Sequence, residues 1–341
     1  MYRNKLNISI IIGLIVLGII LFILNLFVGS VSIPFLDLFD VIFGDDGNAT
    51  VRTIVYEYRL PQAITALLSG AALSVAGLLM QTLFRNPLAD PSMLGVSSGS
   101  SLGVAVTILL TGILGESALS SFGLWSNIGV SLTAFIGATL VLMLILGFSS
   151  RVRNMTTLII IGLMISYLSG SITDILKFFS MKEDIHAFVI WGMGTFSAVG
   201  PSKILFFSIC ITIGLFTSLF LCKNLNILLL GDFYAENLGL NVKRNNIIII
   251  LVSGYLTAIV TAYCGPIAFL GLAIPHLTRF IFRSSDHRTL IPATMLIGMI
   301  VSMFCNLVAR MPGFEGNLPI NAVTAFIGAP IVIWVIFKKN N

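Results

Sequence analysis

One stretch of the sequence decides the fold: residues Arg59–Gly103 read RLPQAITALLSGAALSVAGLLMQTLFRNPLADPSMLGVSSGSSLG. The run from Pro61 to Phe84 contains no charged residue. It is long enough to cross the hydrocarbon core of a bilayer, which needs about 20 apolar residues. A short polar turn with two prolines, Asn86–Pro91, precedes a second run of small and apolar residues. The stretch therefore predicts two membrane-spanning helices joined by a stiff turn.

The composition extends this prediction to the whole chain. Of 341 residues, 57% are hydrophobic and only 10% are charged, and the mean hydropathy is +1.04. A soluble domain carries about 25% charged residues because its surface must face water. The net charge of +5 does not indicate nucleic-acid binding, because no basic cluster with interleaved aromatic residues lies outside the apolar runs. We therefore expect a surface that faces lipid.

Ten apolar runs are candidates for transmembrane helices. The first is longer than the apolar region of a signal peptide, so we expect it to be retained. The stretch from Ile247 to Thr278 is too long for one crossing and is broken at Gly265-Pro266, which predicts two helices, the second of them short. The predicted spans are 7–28, 61–84, 93–111, 125–148, 155–173, 204–222, 246–264, 266–282, 289–309 and 319–337.

The basic residues predict the orientation. With the N-terminus in the cytoplasm, thirteen of the 19 lysines and arginines lie on the cytoplasmic side, as the positive-inside rule expects. An even number of spans returns Lys338 and Lys339 to the same side. We therefore predict a multi-pass protein of the cytoplasmic (inner) membrane with both termini cytoplasmic and the 112–124 loop outside. The six outer basic residues are Arg52, Arg59, Lys177, Lys182, Lys203 and Arg310.

The sequence shows no motif that would couple transport to an ion gradient or to ATP. No charged residue falls near the middle of a predicted span, whereas ion-coupled transporters usually carry carboxylates or histidines there. The chain also lacks the G-x-x-x-x-G-K-[ST] sequence that cradles nucleotide phosphates and the H-E-x-x-H sequence of a metalloprotease. Since His186, His276 and His287 do not cluster, the sequence predicts no metal or haem ligation and implies no cofactor.

Three further segments, read together with Arg59–Gly103, carry a resemblance to a known family. Leu230–Asn241 reads LGDFYAENLGLN, Gly265–Arg279 reads GPIAFLGLAIPHLTR, and Leu318–Trp334 reads LPINAVTAFIGAPIVIW. In this order they resemble the FecCD-type permeases of ABC transporters, which include the vitamin B12, ferric siderophore and haem importers. The resemblance covers the chain from end to end. It implies one permease domain, residues 1–341, that is all-α and polytopic with about ten transmembrane helices, like the vitamin B12 importer permease.

The resemblance implies roles for residues on the cytoplasmic side. It assigns the cytoplasmic gate to Asn86 and Leu88 in the proline turn and to Met155 and Thr156, which follow Asn154. It also implies an ATPase-coupling loop over 223–245, whose apolar residues would need cover from a partner. The coupling residues are Gly231, Asp232, Ala235, Glu236, Leu238 and Gly239, of which Gly239 is expected to end a helix.

On the outer side the resemblance implies a docking site for a substrate-binding protein. Arg59 and Arg310 match the family arginines that meet carboxylates of that partner, while a third family arginine is replaced here by Gln62. A different interpretation of each arginine is that it extends towards the membrane interface and keeps only its charged group in water.

We therefore expect the permease subunit of an ATP-driven importer for an iron chelate, a ferric siderophore or haem. A cobalamin permease and an ion-coupled secondary transporter are the alternatives. The expected partners are a second permease subunit in a homodimer, two ATPase subunits, an extracytoplasmic substrate-binding protein and membrane lipid, but no nucleic acid. Because ATP hydrolysis is expected in the separate subunits, the chain itself is not expected to be an enzyme.

Overall fold

The structure is a computed structural model that describes residues 2–29, 34, 40–41, 49–114, 127–149, 151–152, 155–311 and 317–340. Asn154 and residues 115–124 of the predicted outer loop lie outside this part. A short helix, Ala49–Thr53, leads through a π-helical segment, Ile54–Arg59, into the long helix that begins at Leu60. The helices are α1 (Tyr2–Phe27), α2 (Leu60–Leu83), α3 (Val96–Leu114), α4 (Asn127–Ser149), α5 (Met155–Phe179), α6 (Lys182–Gly192), α7 (Pro201–Phe220), α8 (Cys222–Leu228), α9 (Asp232–Asn237), α10 (Val242–Cys264), α11 (Leu270–Phe282), α12 (His287–Ala309) and α13 (Ile320–Asn340).

Helices occupy all ten predicted spans. Within the described residues, seven helices are long and apolar enough to cross a membrane, and three further apolar helices are shorter. The long run from Ile247 to Thr278 is divided as the Gly265-Pro266 break predicts: α10 ends at Cys264, residues 265–269 are irregular, and α11 has only 13 residues. The all-α polytopic class is therefore confirmed.

Helix α2 lies at the centre of the bundle, packed against α7, α10, α11 and α12. The most apolar window of the helical stretch Ala49–Leu83 is 83% buried, compared with 17% in α1 and in α5. Gly70 and Gly298 allow the close approach of α2 to α12, because a Cβ on either residue would overlap the carbonyl oxygen of the other. Small residues drive such packing in lipid, where burial of apolar side chains gives no net gain.

Two sets of contacts near helix ends define the two ends of the bundle. At the arginine end, Arg59 and Arg310 contact the last turn of α1. At the coupling end, Arg85 pairs with Asp232 at the start of α9. Helix α1 finishes at the arginine end, and α13 begins there, where Ile320 is hydrogen-bonded to the loop after α6. The distal ends of α1 and α13 therefore lie towards the coupling end.

Candidate functional site

A short helix between two left-handed glycines marks the coupling end. Gly231 adopts φ +102° and precedes the six-residue α9, and Gly239 adopts φ +83° beyond its end. The N–H of Gly239 donates to the carbonyl oxygen of Glu236 at 2.9 Å, and the N–H of Leu240 donates to that of Ala235 at 3.0 Å. These two bonds form a Schellman motif, which needs a left-handed residue at the position of Gly239. Gly239 therefore ends the helix as the sequence predicts.

Helix α9 and the residues before it present an apolar surface. Ala235 is fully buried against the bundle, whereas Glu236 is exposed. A contiguous exposed apolar patch is typical of a surface that contacts a protein partner or a membrane. We call this surface the coupling patch, and its members are 47–73% exposed: Leu229, Leu230, Phe233, Tyr234 and Leu238.

The proline turn after α2 is stabilised by a hydrogen bond inside the turn and by a second one from α11. The side-chain oxygen of Asn86 accepts a hydrogen bond from the N–H of Leu88 at 2.9 Å, which forms an Asx turn. The carbonyl oxygen of Pro87 accepts one from Nε2 of His276 at 2.7 Å. Leu88 is 43% exposed. The turn is thus fixed in shape and leaves Leu88 open to contact.

Asp90 is a half-buried carboxylate in the same turn. Its Oδ1 accepts a hydrogen bond from Oγ of Ser92 at 3.4 Å, and its carbonyl oxygen accepts one from the N–H of Met93 at 3.0 Å. Burial raises the pKa of Asp90 to about 6, against the lowering effect of the bonds from Ser92. Because burial disfavours the ionised form, the turn contains a carboxyl group that titrates under mildly acidic conditions.

The second predicted gate segment lies at the start of α5. Met155 is half-buried against the core, and Thr156 is exposed. The 3₁₀ turn Pro91–Leu94 packs on α5 at Gly162, where a Cβ would overlap the carbonyl oxygen of Met93. This contact lies about two helical turns beyond Met155. The structure therefore connects the proline turn to the helix that carries the second gate segment.

Arg85 has no predicted role beyond that of a basic loop residue, yet the structure connects it to the coupling segment. Its Nη2 forms an ion pair with Oδ1 of Asp232 and donates to the carbonyl oxygen of Leu228 at 3.4 Å. Its backbone is left-handed, with φ +48°. Glycine is the usual residue in this conformation after a helix. An arginine directly after the end of α2 is the one feature of the sequence that points to this contact.

A second unpredicted network joins α2, α8 and α12. Oδ1 of Asn226 accepts hydrogen bonds from the N–H and Nδ1 of His287 at 2.9 and 2.8 Å, and Nδ2 of Asn226 donates to Asp286 at 2.6 Å. Nε2 of His287 lies 2.9 Å from Oγ1 of Thr82. Hydrogen bonds from the N–H of Arg288 and from Asn226 lower the pKa of Asp286. These bonds hold α8, immediately before the coupling patch, against the centre of the bundle.

At the arginine end, both predicted docking arginines are buried: Arg59 is 2% and Arg310 is 6% exposed. Nη1 of Arg59 donates to the carbonyl oxygens of Leu26 at 2.8 Å and Phe27 at 2.6 Å, and Nη1 of Arg310 donates to that of Asn25 at 3.3 Å. Burial, followed by the charge of Arg59, lowers the pKa of Arg310 to about 10. Both guanidinium groups satisfy the last carbonyls of α1, where a cation also suits the helix dipole.

A chain of buried amides starts beside these arginines. Nε2 of Gln62 donates to Oδ1 of Asn306 at 3.0 Å, and Nδ2 of Asn306 donates to Oδ1 of Asn25 at 2.8 Å. Nδ2 of Asn25 donates in turn to the carbonyl oxygens of Leu21 and Met303. Gln62 therefore connects α2, α12 and α1, a role that the sequence does not reveal.

A cavity of about 270 Å³ lies at the arginine end. Its lining combines two cations with amides, hydroxyls and one carboxylate, a composition suited to an acidic side chain of a partner. The charged and amide side chains of this lining are Glu57, Arg59, Gln62, Arg310 and Asn317.

The chain is similar to transport proteins over most of its length. The family model for the FecCD transport family matches residues 16–338. An ABC transporter permease protein of Methanocaldococcus jannaschii is 32% identical over 308 residues, which cover 86% of each chain. The vitamin B12 import system permease protein BtuC of Citrobacter koseri is 32% identical over 300 residues, which cover 87% of each chain.

A solved structure shares the fold. It is described as an inward-facing conformation of a metal-chelate type ABC transporter. The two structures superpose with a TM-score of 0.84 at 30% identity, over 97% of this chain and 99% of that chain. A match of this extent includes both ends of the bundle.

Proposed function

The chain belongs to the FecCD transport family and is an ABC importer permease, and we propose that it carries an iron chelate, a ferric siderophore or haem, across the cytoplasmic membrane. The similarity to a metal-chelate type ABC transporter over 97% of the chain carries this choice. Cobalamin is the second candidate, because the BtuC relatives of Citrobacter koseri and Klebsiella pneumoniae are 32% identical.

Two ATPase subunits are proposed as the partners at the coupling end. The coupling patch exposes large apolar side chains there, and Ala235 fixes their helix to the bundle. The proposed coupling loop, residues 223–245, includes α8 and α9, with Gly231, Asp232, Ala235, Glu236, Leu238 and Gly239 as its functional residues. In this arrangement the ATPase subunits hydrolyse ATP and the chain itself does not.

A second copy of this chain is proposed to lie along α5. One face of that helix, at spacings of four and three residues, carries Tyr167, Ser171 and Asp174 among apolar side chains, and all three are exposed. Asp174 lies just beyond the outer end of the predicted span, where it pairs with Lys177 at 3.1 Å. Polar side chains facing lipid are costly, so the face that carries Tyr167 and Ser171 suits a water-filled path between two subunits. The gate residues Asn86, Leu88, Met155 and Thr156 are proposed to close that path at the cytoplasmic side.

The arginine end is proposed to face outwards and to receive the substrate-binding protein at Arg59 and Arg310. Both side chains are buried, but they line a cavity that a carboxylate of the binding protein would enter. With this orientation the coupling end and both termini face the cytoplasm, in agreement with the distribution of basic residues.

The experiment is uptake into proteoliposomes that contain this chain and its ATPase, with its substrate-binding protein added outside. The probes are a ferric hydroxamate siderophore, haem and cyanocobalamin. We expect ATP-dependent uptake of one of the two iron compounds. Uptake of cyanocobalamin alone would select the second candidate, and uptake that follows an ion gradient without ATP would overturn the importer assignment.

A further inference from the structure

The residue that connects the end of α2 to the proline turn has an unusual backbone. Arg85 stands directly before Asn86 and adopts φ +48°, a left-handed conformation that glycine adopts without strain. An arginine at such a position carries a conformational cost, and strained residues concentrate where a side chain is needed for function. The strained backbone of Arg85 therefore suggests that its side chain has a function.

The guanidinium group of Arg85 spans the joint between α8 and α9. Its Nη2 contacts the carbonyl oxygen of Leu228, the last residue of α8, and Oδ1 of Asp232, the first residue of α9. Gly231 lies between those two helices with φ +102°. One nitrogen atom thus contacts both sides of the joint.

Helix α9 contacts α8 and α10 and buries Ala235. It is bounded by Gly231 and Gly239, and a Cβ at either glycine would meet no atom within 4 Å. Within the described residues, no other side-chain hydrogen bond joins residues 232–239 to residues 85–91. The Arg85–Asp232 pair is therefore a direct polar link between α9 and the residue that precedes the proline turn.

We propose that Arg85 is a positioning residue that transmits movement of α9 to the gate residues Asn86 and Leu88. The inference rests on the proposed function, in which an ATPase subunit moves α9. The two side chains of the pair are 47% and 59% exposed, so the pair contributes little to the stability of the resting fold. Removing the pair should leave folding and assembly unchanged but uncouple ATP hydrolysis from movement of the gate residues.

The test measures substrate molecules imported per ATP hydrolysed, in the proteoliposomes described above and with the probe that the wild-type complex takes up. For Arg85→Gln we expect this ratio to fall about fivefold or more, while the ATPase subunit still co-purifies. The matched control is Arg151→Gln beyond the end of α4, which removes an exposed charge that forms no ion pair with a described carboxylate. The control should keep the wild-type ratio.

Two further variants separate the ion pair from the backbone. Arg85→Gly keeps the left-handed conformation without the guanidinium group and should lower the ratio as Arg85→Gln does. The exchange Arg85→Asp with Asp232→Arg should restore the ratio relative to Arg85→Asp alone. A wild-type ratio in Arg85→Gly, or no recovery in the exchange variant, would overturn the inference. Failure of the wild-type complex to transport any probe would instead overturn the proposed function.

Discussion

Gln62 donates a hydrogen bond from its side-chain nitrogen to Oδ1 of Asn306 at 3.0 Å, inside the bundle and next to two buried arginines. The resemblance to the FecCD family alone suggests that an arginine at this position would add a docking contact. The structure indicates a different result, because Gln62 is 6% exposed and holds one end of a buried amide chain.

Gln62→Arg is expected to destabilise the permease rather than strengthen docking. The new guanidinium would be buried beside Arg59 and Arg310, and Glu57 is one carboxylate for three cations in this lining. The change also breaks the bond to Asn306, and we expect a cost of about 2–4 kcal/mol. The measurement is the thermal unfolding midpoint in detergent. Tyr58→Arg, at a 68% exposed neighbour, adds the same charge without burial and should leave the midpoint unchanged. An unchanged midpoint in Gln62→Arg, with tighter docking, would contradict this expectation.

The orientation of the bundle gives a second prediction. In a chain whose four cysteines have been replaced, Tyr58→Cys at the arginine end should react with a membrane-impermeant thiol reagent added to intact cells. Asn340→Cys, at the other end of the bundle, should react only after the membrane is opened. The reason is the excess of lysine and arginine predicted for the cytoplasmic side. The reverse labelling pattern would invert the topology.

Gly239 provides a test of the coupling segment. Its φ of +83° is poorly accessible to alanine, although a Cβ would meet no neighbour within 4 Å. Gly239→Ala should therefore strain the end of α9 by about 1–2 kcal/mol and reduce co-purification of the ATPase. Gly239→Asn should retain more binding, because asparagine tolerates the left-handed region. Gly200→Ala, at an open position with φ −79°, is the control. Equal binding by all three variants would exclude a role for this conformation.

The outcome at these residues shows what the sequence can predict. The helices and the break at Gly265 follow from local patterns of hydrophobicity and from Gly-Pro, so they are legible in the chain itself. The pairs Arg85–Asp232 and Gln62–Asn306 join residues 147 and 244 positions apart. They depend on how α2 packs in the centre of the bundle, which no local pattern specifies.

Local sequence patterns also fail to predict which charged residues are buried and where short helices form. The sequence predicts an outer position for Arg59 but does not predict that α1 ends against it. Helices α8 and α9, of 7 and 6 residues, are too short to be stable alone. Tertiary contacts such as the burial of Ala235 determine them. The sequence predicts a helix end at Gly239 but not where these short helices begin.

The stability of the proline turn should depend on pH through Asp90. Its pKa in the folded protein is about 6, compared with about 4 for an unfolded chain. Between these values the folded state binds more protons than the unfolded state, so the free energy of unfolding falls as pH rises and is constant above about pH 6. The loss is on the order of 2 kcal/mol, because the half-buried carboxyl keeps some solvent.

The measurement compares thermal unfolding of wild type and Asp90→Asn between about pH 4 and 7. The variant should gain stability relative to wild type as pH rises. Asp286→Asn is the control of opposite sign: hydrogen bonds lower the pKa of Asp286 in the folded protein, so its contribution is present at neutral pH and is lost on acidification. Parallel curves for wild type and Asp90→Asn would contradict the assignment to Asp90.

The last prediction concerns Arg59 and Arg310, whose proposed docking role must be separated from their role in holding α1. Arg59 makes two short bonds to the carbonyl oxygens of Leu26 and Phe27, whereas Arg310 makes one bond of 3.3 Å to that of Asn25. Arg59→Ala leaves one buried and one partly buried carbonyl without this donor and should lower permease stability by about 2 kcal/mol. Arg310→Ala should lower it less, which makes Arg310 the cleaner probe of docking.

Affinity for the substrate-binding protein is therefore measured beside the thermal midpoint, for Arg310→Ala, Arg310→Glu and Arg59→Ala at two salt concentrations. Losing one partner of a buried charge pair should weaken docking by about 2–5 kcal/mol, and charge reversal should weaken it further because like charges then meet. A rim contact would instead cost little and fade with added salt. A Glu→Arg change on the binding protein should restore docking to Arg310→Glu, since the pair is re-formed with its charges exchanged. If Arg310→Ala and Arg310→Glu keep wild-type affinity while Arg59→Ala loses only stability, then both arginines serve the end of α1 alone.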